Sequence, residues 1–293
     1  MSKPLVSIIV LCYNHAAFVQ EAIRSAFEQD YESIEVFVVD DASTDESVKK
    51  IREMEKDFPF SFIRHDKNTG NCRAFNEALR LSKGEYVIDL AADDELQSGR
   101  VKLGVEIMEE LPEHYGVHFC DARLVNSKDE ILGTQYERNE KGHLIELVPH
   151  GDVFAELLSR YFICPTTMLI KSEVLSSLGG YDENLTYEDF DFWVRSSRNF
   201  YYAFTDKVLV KKRILKKSLS SQQKRPGNKH VLSTAIVCEK AFELCVKKEE
   251  YLALRKRIYY EMKWATLTGN FKAIQKYIVL LKKIVGRVKV VRA

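Results

Sequence analysis

From residue 6 to residue 90 the chain alternates short apolar runs with stretches of helical periodicity, and this strict order constrains the fold most. Residues 6–12 form a β-branched apolar run and predict a buried strand. Residues 16–28 place Phe18, Ala22, Ile23 and Ala26 on one helical face. Residues 34–39 predict a second strand, which closes in Asp40-Asp41. Residues 43–56 predict a helix opened by a capping box between Ser43 and Glu46. A strand at 60–64, a helix at 71–81 and a strand at 85–90 continue the series. Strand and helix in strict alternation specify a parallel sheet with right-handed crossovers.

The pattern then loosens. Residues 98–110 are helical in period and 116–120 form another apolar strand. Residues 121–150 are polar, with turns expected at Asn126-Ser127-Lys128-Asp129 and at Lys141-Gly142. A strand is expected at 166–170, a helix at 188–198 and edge strands at 201–210. Polar residues 218–228 contain Pro226-Gly227 and read as a hinge, after which the pattern is helical throughout. The expected division is a domain over 1–225, with halves 1–120 and 121–225, and a helical extension over 226–293.

Composition narrows the function classes. Of 293 residues 45% are hydrophobic and the net charge is +1, which argues against a nucleic-acid binder working by bulk electrostatics. The six cysteines are scattered, without Cys-x-x-Cys or zinc spacing, and predict reduced thiols in a cytoplasmic protein. Met-Ser-Lys-Pro runs straight into a strand pattern, which predicts no signal peptide, and no apolar run approaches a membrane span.

The acids at the strand ends carry the chemistry. Tyr86-Val87-Ile88-Asp89-Leu90-Ala91-Ala92 is an apolar run that breaks into Asp93-Asp94. In open α/β sheets the carboxyl ends of the strands are where ligands bind. Adjacent carboxylates repel unless a cation or donor lies between them, and a hard divalent ion holding a diphosphate suits them. The competing reading is a solvated acidic turn. Asp41 is placed to accept from the imide of a pyrimidine base, or else to serve the turn before the next helix. Tyr13 either stacks on a base or packs at its strand end.

Taken in order, these segments resemble the inverting nucleotide-sugar glycosyltransferases of family 2, which have the GT-A fold. The opening strand with Tyr13-Asn14 is similar to the family's first motif. Val38-Val39-Asp40-Asp41-Ala42-Ser43-Thr44-Asp45 is similar to its Val-Asp-Asp-Gly-Ser-x-Asp. Asn68-Thr69-Gly70 with Asn76 resembles its Asn-x-Gly-x-x-x-Ala-Arg-Asn, and Gly84-Glu85-Tyr86 leads to the Asp-x-Asp region. Gly179-Gly180-Tyr181-Asp182-Glu183 and Tyr187-Glu188-Asp189-Phe190-Asp191 resemble the acceptor-side motif. The match runs over roughly residues 4 to 220.

The resemblance implies a mostly parallel, Rossmann-like sheet with helices on both faces, plus a C-terminal α-helical extension. It also implies roles. Asp41 holds the base, Asp93 contacts the ribose or the metal shell, and Asp94 ligates a divalent cation, Mn²⁺ or Mg²⁺. Asp189 is the general base and Glu188 lies on the acceptor side, orienting the acceptor or Asp189 or only favouring a helix start. Two positions depart from the pattern. Ala91 stands where many members carry the first Asp of Asp-x-Asp, and Phe75 stands where the Arg usually sits. Arg73, close by, is the substitute candidate for the phosphates. The expected activity is inverting transfer from a nucleoside-diphosphate sugar, a UDP-sugar, to a saccharide or lipid-linked saccharide in polysaccharide or cell-envelope synthesis. The alternative is a non-catalytic nucleotide-sugar-binding relative that scaffolds glycan assembly.

Several residues carry a plain structural expectation. Asp191, two positions from Asp189 on a helix, faces elsewhere and reads as a salt-bridge partner. Phe192 and Trp193 read as core, the histidines lack metal spacing, and His15 reads as near the base. Lys211-Lys212-Arg213 and Lys216-Lys217 read either as a mobile basic segment over the diphosphate or as a solvated edge strand. After Met262 there are eight Lys or Arg and no acid, with apolar residues at helical spacing. Beyond Gly269 this predicts a basic amphipathic helix on the inner face of a membrane.

Overall fold

The computed structural model describes residues 3–215 and 230–290. Two compact units emerge, each with its own apolar core. The first comprises the described part of Met1–Gly151 together with Ile163–Glu183 and Phe200–Ile214. The second comprises Asp152–Phe162, Asn184–Asn199 and the described part of Leu215–Ala293.

The first unit is built on one sheet. Its strands are β1 (Val6–Cys12), β2 (Ile34–Asp40), β3 (Ser61–Arg64), β4 (Tyr86–Ala91) and β5 (Glu95–Leu96). They continue with β6 (Tyr115–Val125), β7 (Ile131–Thr134), β8 (Leu169–Lys171) and β9 (Tyr201–Arg213). The order is β3-β2-β1-β4-β8-β6-β9-β5, with β7 paired to β6. β3, β2, β1 and β4 are all parallel, as the alternating pattern requires, and β6 with β9 is the other parallel pair. The pairs made by β8, β5 and β7 are antiparallel. Every residue of β1 is buried, because strands flank it on both sides and helices cover both faces. That is why its sequence runs apolar without alternation.

The helices of this unit are α1 (Val19–Phe27), α2 (Ser47–Met54), α3 (Asn71–Leu81), α4 (Arg100–Glu110) and α6 (Ser172–Leu178). α2 begins at Ser47, four residues later than the sequence predicts, and the expected capping box does not form. Asp45 takes that role, accepting from the Ser47 amide at 2.9 Å and the Ser47 hydroxyl at 2.5 Å. The turn predicted at Asn126 is the hairpin between β6 and β7, with Asp129 in the left-handed region at φ 62°. β9 extends past the expected 201–210 to Arg213 and lies between β6 and β5, so it is not an edge strand.

The second unit contains helices only, among the described residues: α5 (Phe154–Ser159), α7 (Asp189–Ser196), α8 (His230–Leu244), α9 (Lys248–Leu267) and α10 (Phe271–Val290). Glu250 caps α9 by accepting from the amides of Val246 at 2.7 Å and Lys247 at 3.0 Å. Gly269, at φ 67°, turns the chain and Asn270 caps α10 through the Ala273 amide at 3.2 Å. α10 turns its Ala273, Tyr277, Leu280 and Ile284 into this unit's core, so much of the stripe expected at a membrane is consumed by packing. Phe271, Ile278 and Val285, seven residues apart, stay exposed. No helix of the described residues is long and apolar enough to cross a membrane.

Candidate active site

Strand register brings the first unit's polar candidates to one sheet edge. Cys12 pairs with Asp40 and Leu11 with Ala91. Tyr13, Asp41 and Asp93 therefore all lie one or two residues beyond aligned positions on β1, β2 and β4. The Tyr13 ring is exposed, whereas Asp41, Asp93 and Asp94 are 5%, 8% and 0% exposed.

The loops after β1 and β2 are stitched together. Asn14 sits in the left-handed region at φ 60°, a conformation Asn tolerates better than most side chains. Its Oδ1 accepts from the Thr44 amide at 2.7 Å, and its own amide donates to Ser43 Oγ at 2.9 Å. The amides of His15 and Ala16 donate to Ser47 Oγ and Asp45 Oδ2, both at 3.0 Å. Ser43 is thus occupied by the neighbouring loop.

Asp41 organises the next loop. Its Oδ1 accepts from the Thr69 amide at 2.7 Å, the Thr69 hydroxyl at 2.9 Å and His65 Nδ1 at 2.7 Å. Its Oδ2 accepts from the Gly70 amide at 2.8 Å. Burial pushes the Asp41 carboxyl up, but these bonds from His65, Thr69 and Gly70 outweigh it and hold the group below its ordinary range. His65 also meets Glu77 Oε2 through Nε2 at 3.0 Å. His65, without metal spacing, reads from the sequence as an ordinary surface or core histidine. Its spacing from Asp41 carries no signal, because β3 and its parallel register create the contact.

A second clamp joins α3 to the Gly179-Gly180-Tyr181 turn. Asn76 accepts from the Tyr181 amide at 2.9 Å and donates to the Tyr181 carbonyl at 2.8 Å. Gly180, at φ 78°, approaches so closely that a Cβ would lie 2.4 Å from Asn76 Oδ1. Phe75 stacks on Tyr181 with centroids 4.3 Å apart, which gives the departure from Arg at that position a packing role. Arg73 and Arg80 both bind Glu183, at 3.0 and 2.8 Å. Arg73 is thus held on Glu183 in the structure.

At the end of β4 the basic tail of β9 meets the acids. Lys212 Nζ donates to Asp94 Oδ2 and the Arg213 amide to Asp94 Oδ1, both at 2.9 Å. Burial disfavours the Lys212 ammonium, but the carboxylates of Asp94 and Asp93 more than offset this and raise its pKa. The buried Arg213 guanidinium donates to the Asp93 carbonyl at 3.2 Å and to Asp129 at 2.9 Å. It also donates to Glu21 and Glu95 at 3.3 Å each. Lys211 pairs with Glu95 and Asp129. Residues 211–213 are therefore anchored strand, neither a mobile cover nor a solvated edge; Lys216 and Lys217 lie outside the described residues. His15 Nδ1 is buried with no hydrogen-bond partner among the described residues and lies 3.8 Å from Asp93 Oδ1, so His15 faces the acid pair.

Could this edge hold a divalent cation? Among the described residues no three His, Cys, Asp or Glu side chains gather into a complete site. Two protein carboxylates are nevertheless an adequate donor set for an ion whose remaining ligands are substrate phosphates and water. The orphaned His15 nitrogen beside Asp93 marks a polar position that the protein alone leaves unsatisfied. The residues fit such an ion, with Asp94 engaged by Lys212.

In the second unit Glu188 and Asp189 stand half-buried at the first turn of α7. Asp191 is buried and bound by Arg195 Nε and Lys240 Nζ, both at 2.6 Å, the structural salt bridge expected of it. Phe190, Phe192 and Trp193 are buried too. All six cysteines are buried thiols outside any disulfide.

The family model described as "Glycosyl transferase family 2" matches residues 7–179. An uncharacterised glycosyltransferase of Rickettsia typhi is 30% identical over 214 residues, 72% of this chain and 64% of that protein. The chain thus spans a little under two thirds of that relative's length. Among solved structures, TarS 1–349 of S. aureus in complex with UDP-GlcNAc superposes with TM-score 0.72 and 18% identity. The match covers 98% of this chain and 83% of TarS 1–349. The mannosyltransferase PcManGT of Pyrobaculum calidifontis, in complex with GDP-Man and Mn²⁺, gives TM-score 0.64 and 18% identity, over 98% and 76% of the two chains. At that identity the likenesses speak for the fold, which is GT-A-like with C-terminal helices.

Proposed function

The chain belongs to glycosyltransferase family 2, and on that premise we propose that it is an inverting transferase. It moves a sugar from a uridine diphosphate sugar to a saccharide or lipid-linked saccharide. The observation that carries this reading is the shared edge of β2, β1 and β4, where Asp41, Tyr13 and Asp93 follow aligned strand ends. Tyr13 stacks on the base and Asp41 accepts its imide through the lone pair that Oδ2 keeps beside the Gly70 amide. Asp93 binds at the ribose and the cation.

Mn²⁺ or Mg²⁺ would be held at Asp93 and Asp94, the latter by exchanging its Lys212 partner, and when bound supplies Lewis-acid neutralisation of the leaving diphosphate. The complex of PcManGT with Mn²⁺ supports that cofactor. Arg73 would reach the phosphates only by leaving Glu183. Asp189 takes the proton of the acceptor hydroxyl as that oxygen attacks the anomeric carbon and the bond to the diphosphate breaks, so one displacement inverts the centre. Glu188 orients the acceptor.

The reading extends to a site of action at the cytoplasmic face of a membrane. The exposed Phe271, Ile278 and Val285 share a face of α10 with Lys282 and Lys289, which suits an anionic lipid surface.

Calorimetric titration of UDP with and without manganese tests the donor half. Binding that needs manganese in the wild type and disappears in Asp94→Ala is expected. Unchanged affinity in that variant removes Asp94 from the cation. For the acceptor half, Asp189→Asn should bind donor normally and transfer about 10²- to 10⁴-fold more slowly. Full activity in Asp189→Asn, with Asp191→Asn crippled instead, rules out the assignment.

A further inference from the structure

The second unit encloses a pocket of about 420 Å³ whose wall includes Arg160, Tyr161, Lys256, Arg257, Tyr260 and Trp264. That size lies within the range of small-ligand sites. Its wall is unusual in carrying a buried guanidinium. Arg257 is 3% exposed, and its plane stacks on the Tyr161 ring, with the guanidinium carbon 3.8 Å from the centroid. Phe190, next to Asp189 in the chain, lies under the same guanidinium at 5.2 Å. Nε donates to the Leu158 carbonyl at 3.3 Å and Nη1 to Glu261 at 3.2 Å. Nη2 is buried and, among the described residues, meets no acceptor.

A charged donor held away from water without an acceptor is costly, and proteins keep such groups where a ligand completes them. The geometry here is fixed in advance. One face of the guanidinium is stacked, two of its three nitrogens are engaged, and Nη2 is left. The acid nearest to it, Glu261, is already paired through Nη1. Arg160 and Lys256 therefore give the pocket an excess of two positive charges. Beside Ser159, Val231 and Thr234, the rest of the wall is aromatic. Tyr260 and Trp264 are one helical turn apart on α9, with ring centroids separated by 6.5 Å and inclined at 67°. Rings of this kind present flat apolar faces with a polar tip, which suits the C–H face of a sugar ring and its hydroxyl rim.

We propose that this pocket binds an anionic saccharide, one carrying a phosphate or a carboxylate. The anion completes Arg257 Nη2 with help from Lys256, and the sugar ring lies against Tyr260 and Trp264. On the glycosyltransferase reading above, on which this last step rests, the ligand is the acceptor chain, and Phe190 links the pocket wall directly to the helix turn that bears Asp189.

The test uses the full chain, with UDP and manganese present so that the donor site is filled, and binding is read by calorimetry. Glucose 6-phosphate and glucuronate are the charged probes, distinguishing phosphate from carboxylate; glucose and inorganic phosphate are the half-ligands. At least one charged sugar should bind roughly tenfold or more tightly than glucose and than inorganic phosphate. Lys256→Ser and Tyr260→Ser, both at exposed positions, should each weaken that binding several-fold while leaving the melt and UDP affinity as in the wild type. Arg257→Met should abolish it, and where that variant does not fold, the two exposed substitutions decide. Charged sugars that bind no better than glucose, phosphate that binds as well as its sugar ester, or variants that bind like the wild type would each overturn the proposal. Loss of UDP binding in the wild type would instead strike at the donor reading and leave the pocket's ligand measurable.

Discussion

Replacing Asp41 by Asn changes one oxygen to an amide and removes a charge, and the surroundings make that severe. In the better orientation the amide oxygen keeps its bonds from Thr69 and His65, and Nδ2 then faces the Gly70 amide, donor against donor. An unsatisfied buried N–H costs about 1–3 kcal/mol, and a hydrogen bond to a neutral acceptor is weaker by about 1 kcal/mol than one to a charged acceptor. Allowing for relaxation and non-additivity, the first unit should lose about 3–5 kcal/mol. The sign with pH follows from the depressed carboxyl. The unfolded group titrates near about 3.9. Between that value and the lower folded one, the unfolded chain binds more protons, so stability rises with pH across this window and is lost as the solution is acidified. The gap between wild type and Asp41→Asn should be full above about pH 4 and shrink as pH falls through the folded value. Both tryptophans, Trp193 and Trp264, lie in the second unit, so their fluorescence is the wrong probe. Amide exchange in β1 and β2 reads the right transition. A loss below about 1 kcal/mol at pH 7, or a gap that does not narrow in acid, would refute the reasoning.

Gly180→Ala should cost about 2–4 kcal/mol, combining left-handed strain with loss of the Asn76 bonds to Tyr181, measurable by the same exchange. Asp94→Ala leaves Lys212 without its partner and should destabilise by about 3–5 kcal/mol. Adding Lys212→Met should recover much of that, and purely additive denaturation midpoints would show that the pair is not coupled. Deleting residues 271–293 removes Tyr277, Leu280 and Ile284 from the second unit's core. Tryptophan fluorescence should then lose its cooperative transition, and a truncated chain that melts like the wild type would mean that α10 is dispensable for folding.

The parallel half of the sheet was legible because buried parallel strands write themselves as uninterrupted apolar runs, and β1 and α3 fall where the pattern puts them. The salt bridge of Asp191 was legible from helix geometry alone. What escaped depends on pairing between distant segments. His65 meets Asp41 only because β3 lies beside β2. The basic run at 211–213 looks like a surface tail until β9 is seen to carry it against Asp94 and Glu95. The stripe on α10 has the same period whether it faces lipid or α8 and α9; contact with those helices decides between them. The pocket around Arg257 draws on three segments of the second unit and has no local signature.

The hydrogen bonds that join Asn14, His15 and Ala16 to Ser43, Thr44, Asp45 and Ser47 bear on kinetics as well as shape. Two loops tied at four places cannot open one at a time. Their amides should therefore exchange with solvent in a single event, at one rate, when both strand ends come apart together. Tyr13 and Asp41 ride on that tied pair, so they keep a fixed spacing whether or not a base is present. Little ordering entropy is then left to be lost on association, and the arrival rate of a nucleotide should be set by diffusion and charge, with no slow phase for loop closure.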